Sequence, residues 1–328
     1  MFSRVVKLAG ASVAASCLLV SAAQAAGPPP PTAANGNPVA QVAAPGVLST
    51  PTSFAFGDGR AFVGDVSAMG NEGGVYVLKD GNAIRVPGTK APVFGLAWRD
   101  GTLYVSAVNK LLAWSGWTGS TFSSHKTIFE AGPTFTGFGG LGFGANGRLY
   151  AGVTLSPTND HGAPTTPFEY DLLSMTPEGK DVGIVASGIR QPWQMAFPAG
   201  SSSPFLSDLG QDGDATDPSD FILRVQPGQN YGFPSCNWTV LSACSTNARP
   251  VRFFAPHSDA MGLAIRGTRL YISEFGGSTV PQVVWMPLTG GDVTPFLTGF
   301  VAPIVGLGTH DGWLYVGELT GQVFRVEL

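Results

Sequence analysis

Four stretches carry the reading of the fold: GLAWRDGTLYVSA at residues 95–107, GLGFGANGRLYAGV at 140–153, GLAIRGTRLYISE at 262–274 and GLGTHDGWLYVGE at 306–318. Each joins two short runs of alternating apolar residues through a D-G, N-G or R-G element. The alternation has the period of a half-buried strand, and the dipeptide closes a tight hairpin. Third apolar runs follow at GVYVLK, KLLAWSG, DLLSMTP, FILRVQP, QVVWMPL and QVFRVEL. Taken over the whole chain, the first runs centre on Phe54, Leu96, Leu141, Met195, Leu263 and Leu307, at spacings of 42, 45, 54, 68 and 44 residues. Strand-turn-strand units at such periods are propeller blades. Six of them predict an all-β, six-bladed β-propeller.

The last run ends at Leu328, which leaves the sixth blade one strand short, and an open sheet edge invites aggregation. VAQVAAPGV at 39–47, ahead of the first repeat, is expected to supply the missing strand and close the ring. Residues 1–25 read as an export signal: Arg4 and Lys7, an apolar run from Leu8 to Val20, and Ala23-Gln24-Ala25 as the cleavage site. Residues 26–38 read as a flexible, proline-rich leader and 39–328 as one propeller, with an insertion at 228–250 in the fourth blade. The insertion holds Cys236 and Cys244, which in an exported chain predict one disulfide worth roughly 2.5 kcal/mol by loop-closure entropy.

Only 12% of residues are charged, while 45 glycines and 26 prolines fit a chain of strands and turns. Removing Arg4 and Lys7 from a net charge of −4 leaves −6 and no basic stripe, so nucleic acid is not expected as a partner. The apolar run of the signal is too short and too rich in Ala and Ser for a membrane span. The expected setting is secreted or periplasmic.

Loops entering first strands and loops leaving second strands meet at one mouth of a propeller. The leaving positions place Asp65, Asp208, Glu274 and Glu318 on that rim, and the entering positions place Thr136, Arg190 and, beside Ser258, His257. Two readings of the acids stay open. They cap turns by accepting backbone N–H bonds, or they hold a central divalent ion of the kind that serves lactone hydrolysis. Arg190, in GIRQPWQMAF, suits a substrate hydroxyl or a cofactor carboxylate, or else pairs with Asp208. His257, in APHSDAMGLAI, is placed to act as a general base or to hold a turn. The loop from Leu209 to Asp217, with Gly210, Gln211, Asp212 and Asp214, reads first as a solvated turn, since it lacks the ordered spacing of an EF-hand, and second as a Ca²⁺ loop offering carbonyl and carboxylate oxygens.

The stretches SGIRQPWQMAF, FLSDLGQDGDATDPSDFILRVQPGQNYGFPSC and FFAPHSDAMGLAI resemble the soluble PQQ-dependent glucose/sorbosone dehydrogenases, in register from about Gly139 to Leu328. The resemblance implies a six-bladed propeller that binds PQQ and calcium over its mouth and passes hydride from an aldose or sorbosone-type sugar to the quinone. It implies that Arg190 contacts cofactor and sugar and that the carbonyls of Gly210 and Gln211 hold the calcium. Where the family has its catalytic histidine this chain has Thr136, at the cofactor position, and where the family has the partner carboxylate it has Val153, Thr154 and Leu155. Residues 300–305 carry no basic residue to clamp the PQQ carboxylates, and Arg266 lies in a hairpin on the other side. Two functions follow: a sugar dehydrogenase with a rearranged site that uses His257 as base, or a non-catalytic propeller that recognises a carbohydrate or protein on the same face.

Overall fold

The computed structural model describes residues 29–67, 73–88, 92–132, 134–155, 162–211 and 217–328. The export signal, Asp212 and Asp214 lie outside the described residues.

Six antiparallel sheets form the ring. Their first strands are Pro51–Gly57, Val93–Arg99, Phe138–Phe143, Pro192–Ala196, Ala260–Arg266 and Ile304–His310, and each contains its predicted centre. Every first strand packs against the next, and the sixth against the first, so these six strands wall the central shaft. The D-G elements are positive-φ turns, with Asp100 at φ 48° and Gly101 at 72°, and Asp311 at 47° and Gly312 at 85°. This is the hairpin geometry that matches strand twist.

The sequence pattern has a packing cause. The aromatic of each second strand (Phe62, Tyr104, Tyr150, Phe205, Tyr271 and Tyr315) is buried, which stabilises each blade by roughly 1.5–3 kcal/mol. The glycine that opens each quoted repeat lets neighbouring first strands touch. A Cβ on Gly95 would sit 2.6 Å from the Leu141 nitrogen, and one on Gly306 would sit 2.7 Å from the Pro51 oxygen. Small hydroxyls then bond across blades: Thr52 Oγ1 donates to the Val93 carbonyl (2.7 Å), Ser106 Oγ to Gly139 (2.8 Å) and Ser207 Oγ to Met261 (2.7 Å).

The fourth blade breaks this rule. In the register of the repeat glycine it carries Gln194, whose amide donates to the Thr52 carbonyl in blade 1 while its Oε1 accepts from Leu263 N–H at 3.1 Å in blade 5. Gln194 thus spans the shaft. A cavity of about 230 Å³, lined by Phe54, Phe56, Met195, Phe197 and Thr309 among others, lies along the shaft beside it.

The ring closes as expected. Ala40–Ala43 pairs with Val323–Glu327, with Ala40 opposite Arg325 and Ala43 opposite Val323. The leader departs from the flexible chain expected of it, because Thr32–Ala33 adds a fifth strand to blade 5, Thr32 opposite Thr298. Asn35 and Asn37 then donate their side-chain amides to the Glu327 carbonyl (3.0 and 2.9 Å), joining blades 5 and 6. Two residues of pairing fixed by side-chain amides leave no periodic trace in a sequence. Cys236 and Cys244 form the predicted disulfide, with their Cα atoms 5.1 Å apart. Among the described residues no helix is long and apolar enough to cross a membrane.

Candidate functional site

The acids leaving the second strands serve their own blades. Asp65 accepts from the N–H groups of Ser49 (2.9 Å), Thr50 (3.0 Å) and Ser67 (2.9 Å). Asp208 accepts from Gln191 N–H (2.7 Å), and Glu318 from Ala302 N–H (2.9 Å) and Thr320 Oγ1 (2.9 Å). Glu274 accepts from the Gln282 amide. In Asp65, Asp208 and Glu318 the carboxylate latches the loop that enters the blade, which satisfies N–H groups that burial removes from water. Among the described residues no three His, Cys, Asp or Glu side chains come together as a metal site. The geometry is that of caps.

Burial pushes the Asp208 carboxyl up to about 7, against the opposing pull of the Gln191 N–H, the Arg190 charge and the Arg190 N–H. Asp220, also buried, is raised for the same first reason, against the N–H groups of Gly210 and Asp259, the Ser258 hydroxyl and the His257 charge.

Arg190 is buried, and its Nη1 donates to the carbonyls of Leu209 (2.8 Å) and Gly210 (2.6 Å). The Gly210 peptide is held from its other end as well, its N–H donating to Asp220 Oδ1 at 2.7 Å. Asp220 Oδ2 in turn accepts from Ser258 Oγ (3.1 Å) and Asp259 N–H (2.6 Å). This chain of bonds ties Arg190 to the loop that carries His257. Gln211 accepts from the Asn237 amide (3.2 Å), which anchors the disulfide-bearing insertion over the same corner. A cavity of about 10 Å³, enough for one water, lies between Arg190, Gly210, Gln211, Tyr231 and Trp238.

His257 has a partner the sequence did not name. Its Nε2 lies 2.7 Å from Asp217 Oδ1, with the imidazole partly exposed. Both residues have positive φ (57° and 49°), so each sits at a sharp turn. Thr136 donates its hydroxyl to the Thr154 carbonyl, within its own blade. The shaft mouth is floored by Phe94, Trp193, Leu209, Met261 and Val305, with the Phe94 and Trp193 rings edge to face at 6.0 Å. Among the described residues the buried Trp193 indole N–H has no acceptor.

Gln194, Asp220 and the pairing of Asp217 with His257 escaped the sequence reading. Aligning the repeats would have exposed Gln194, a lone amide in a column of small residues. Nothing local marks the other two, because both pairings join loops some forty residues apart.

The fold and the rim define a six-bladed propeller with a buried arginine and a His–Asp pair beside an apolar floor. Solved structures of this shape include the PQQ-bound aldose sugar dehydrogenase of Streptomyces coelicolor (19% identity, 90% of this chain and 99% of that one, TM-score 0.71) and the apo soluble aldose sugar dehydrogenase of Escherichia coli (18%, 88% and 99%, 0.70). A protein assigned to the gluconolactonases is also similar (14%, 91% and 97%, 0.60). No family model matches the chain, and no curated protein matches it in sequence. At these identities the likeness is one of fold.

The groups that such folds carry can be tested against the residues present. Of the two carbonyls expected to hold calcium, that of Gly210 already accepts from a guanidinium, which disfavours a cation there. A planar anionic cofactor such as PQQ fits better. The mouth offers an apolar aromatic floor, an indole N–H without an acceptor among the described residues, and the Arg190 charge.

Proposed function

We propose that the protein is an exported sugar dehydrogenase, oxidising an aldose or sorbosone-type sugar at the propeller mouth with PQQ as the cofactor. The observation that carries this reading is the His257–Asp217 pair at 2.7 Å on the rim that also holds Arg190. Blade 3 lacks a base at Thr136 and an orienting carboxylate at Val153. The His–Asp pair supplies both groups from blades 4 and 5 instead.

Asp217, by accepting from Nε2, selects the tautomer with its lone pair on Nδ1. That nitrogen takes the proton of the sugar hydroxyl, and Asp217 steadies the imidazolium that forms. Arg190 and Trp193 would hold the cofactor, which when bound supplies the two-electron acceptor for the hydride. The floor of Phe94, Met261 and Val305 excludes water beneath the reacting carbon. The disulfide accords with an oxidising compartment.

The test is purified protein reconstituted with PQQ, both with and without Ca²⁺, and assayed for dye reduction over a panel of aldoses and sorbosone. The expected result is turnover in the wild type and a loss of about 10²–10⁴-fold in kcat for His257→Gln. Full retention of kcat in that variant removes His257 as base. Absence of turnover with every sugar removes the dehydrogenase reading. A second reading has its own observation in the Thr136–Thr154 bond, which closes the blade-3 corner: a propeller that binds a carbohydrate without oxidising it. Calorimetric sugar binding without dye reduction is its signature.

A further inference from the structure

We infer that the Arg190 guanidinium takes the place of a divalent cation at the Leu209 and Gly210 carbonyls, so that this mouth binds an anionic cofactor without calcium. The inference rests on the cofactor reading above and departs from what the resemblance implied about the metal.

Three features support it. The first is occupancy: one Nη1 donates to both oxygens, at 2.8 and 2.6 Å. A calcium ion needs its oxygens at about 2.3–2.6 Å. It would therefore share these lone pairs with a fixed positive charge a few ångströms away, in a buried setting where screening is weak.

The second is rigidity. The Gly210 peptide is pinned by Asp220 at its N–H and by Arg190 at its carbonyl. A Cβ at Gly210 would lie 2.6 Å from the carbonyl oxygens of Pro218 and Ser219, so the loop packs against itself with no slack to re-aim the oxygen.

The third is charge. Among the described residues, the buried acids Asp208 and Asp220 accept from backbone N–H groups at 2.6–2.7 Å and serve the loops rather than an ion. Arg190 brings a positive charge to this corner.

Two measurements on the full protein decide the matter. The first is PQQ affinity by quenching of tryptophan fluorescence, in EDTA and in excess calcium. Dissociation constants that agree within about twofold are expected, and tightening of about tenfold or more on adding calcium overturns the inference while leaving the cofactor reading intact. Arg190→Gln is expected to weaken PQQ by about tenfold or more in both media, and wild-type affinity in that variant also overturns it. The second is equilibrium dialysis of the wild-type protein against radioactive calcium alone. No bound calcium is expected, and one ion per chain overturns the inference. Failure of PQQ to bind in either medium sinks the proposed cofactor instead, and the dialysis then decides the calcium question by itself.

Discussion

Gln194 of blade 4 and Thr52 of blade 1 stand on opposite sides of the shaft and are joined by a hydrogen bond from the glutamine amide to the threonine carbonyl. With Leu263 N–H donating to the same side chain, three of the six inner strands meet on one residue. The shaft is crossed at this level, with the cavity of about 230 Å³ beside the crossing.

Gln194→Ala should therefore cost stability by leaving a buried carbonyl and a buried N–H without their partner, about 1–3 kcal/mol in all. Urea denaturation measures it. Unchanged stability would mean that water replaces the amide without loss.

The Asp208 carboxyl gives a pH dependence whose sign can be worked out. Its folded value of about 7 lies above the ordinary carboxylate range, so between roughly pH 4 and 7 the native state holds a proton that the unfolded chain releases. Stability then falls as pH rises through this window, at most by about 1.4 kcal/mol per pH unit. Asp171, pushed up to about 6 by burial, acts in the same direction. Asp208→Asn keeps an acceptor for Gln191 N–H and should flatten the slope. A variant with the wild-type slope between pH 5 and 7 would assign the dependence to another group.

The blades were legible because one physical demand repeats six times. Each blade needs a second-strand aromatic against its neighbour, and most need a small residue where first strands touch, so a column of Gly with Leu and a column of Tyr or Phe are written into the chain. The closing strand was legible from a deficit, the sixth blade having three strands of its own. The rim was legible only as a set of residue types. That Arg190 reaches the Leu209 and Gly210 carbonyls depends on which way the Gly210 peptide faces, and a sequence does not record peptide orientation. The His257–Asp217 pair depends on two loops from adjacent blades meeting, a contact with no periodicity to announce it.

Asp217→Asn separates a positioning role from a structural one. Asparagine keeps the size of the side chain but favours the wrong imidazole tautomer, so kcat should fall by about 10²-fold or more with folding unchanged. An unaltered kcat would show that the pair only stiffens the loop.

The N-terminal strand should decide the state of association. Ala40–Ala43 covers the outer edge of Val323–Glu327, and Ala43 is fully buried against Val323 in the cluster that holds Leu48, Phe54 and Tyr315. Deleting residues 29–47 uncovers that edge and removes part of the core of blade 6, and it also removes the Asn35 and Asn37 amides that reach the Glu327 carbonyl. A bare edge presents unpaired N–H and C=O groups to any passing strand. The truncated chain is expected to run as oligomers or aggregate in size-exclusion chromatography, with a lower thermal midpoint than the full chain measured side by side. If it runs at the same elution position as the full chain, with the same midpoint, the strand is an ornament on a ring that closes without it. The cause of closure would then lie in the packing of the sixth first strand, Ile304–His310, against Pro51–Gly57.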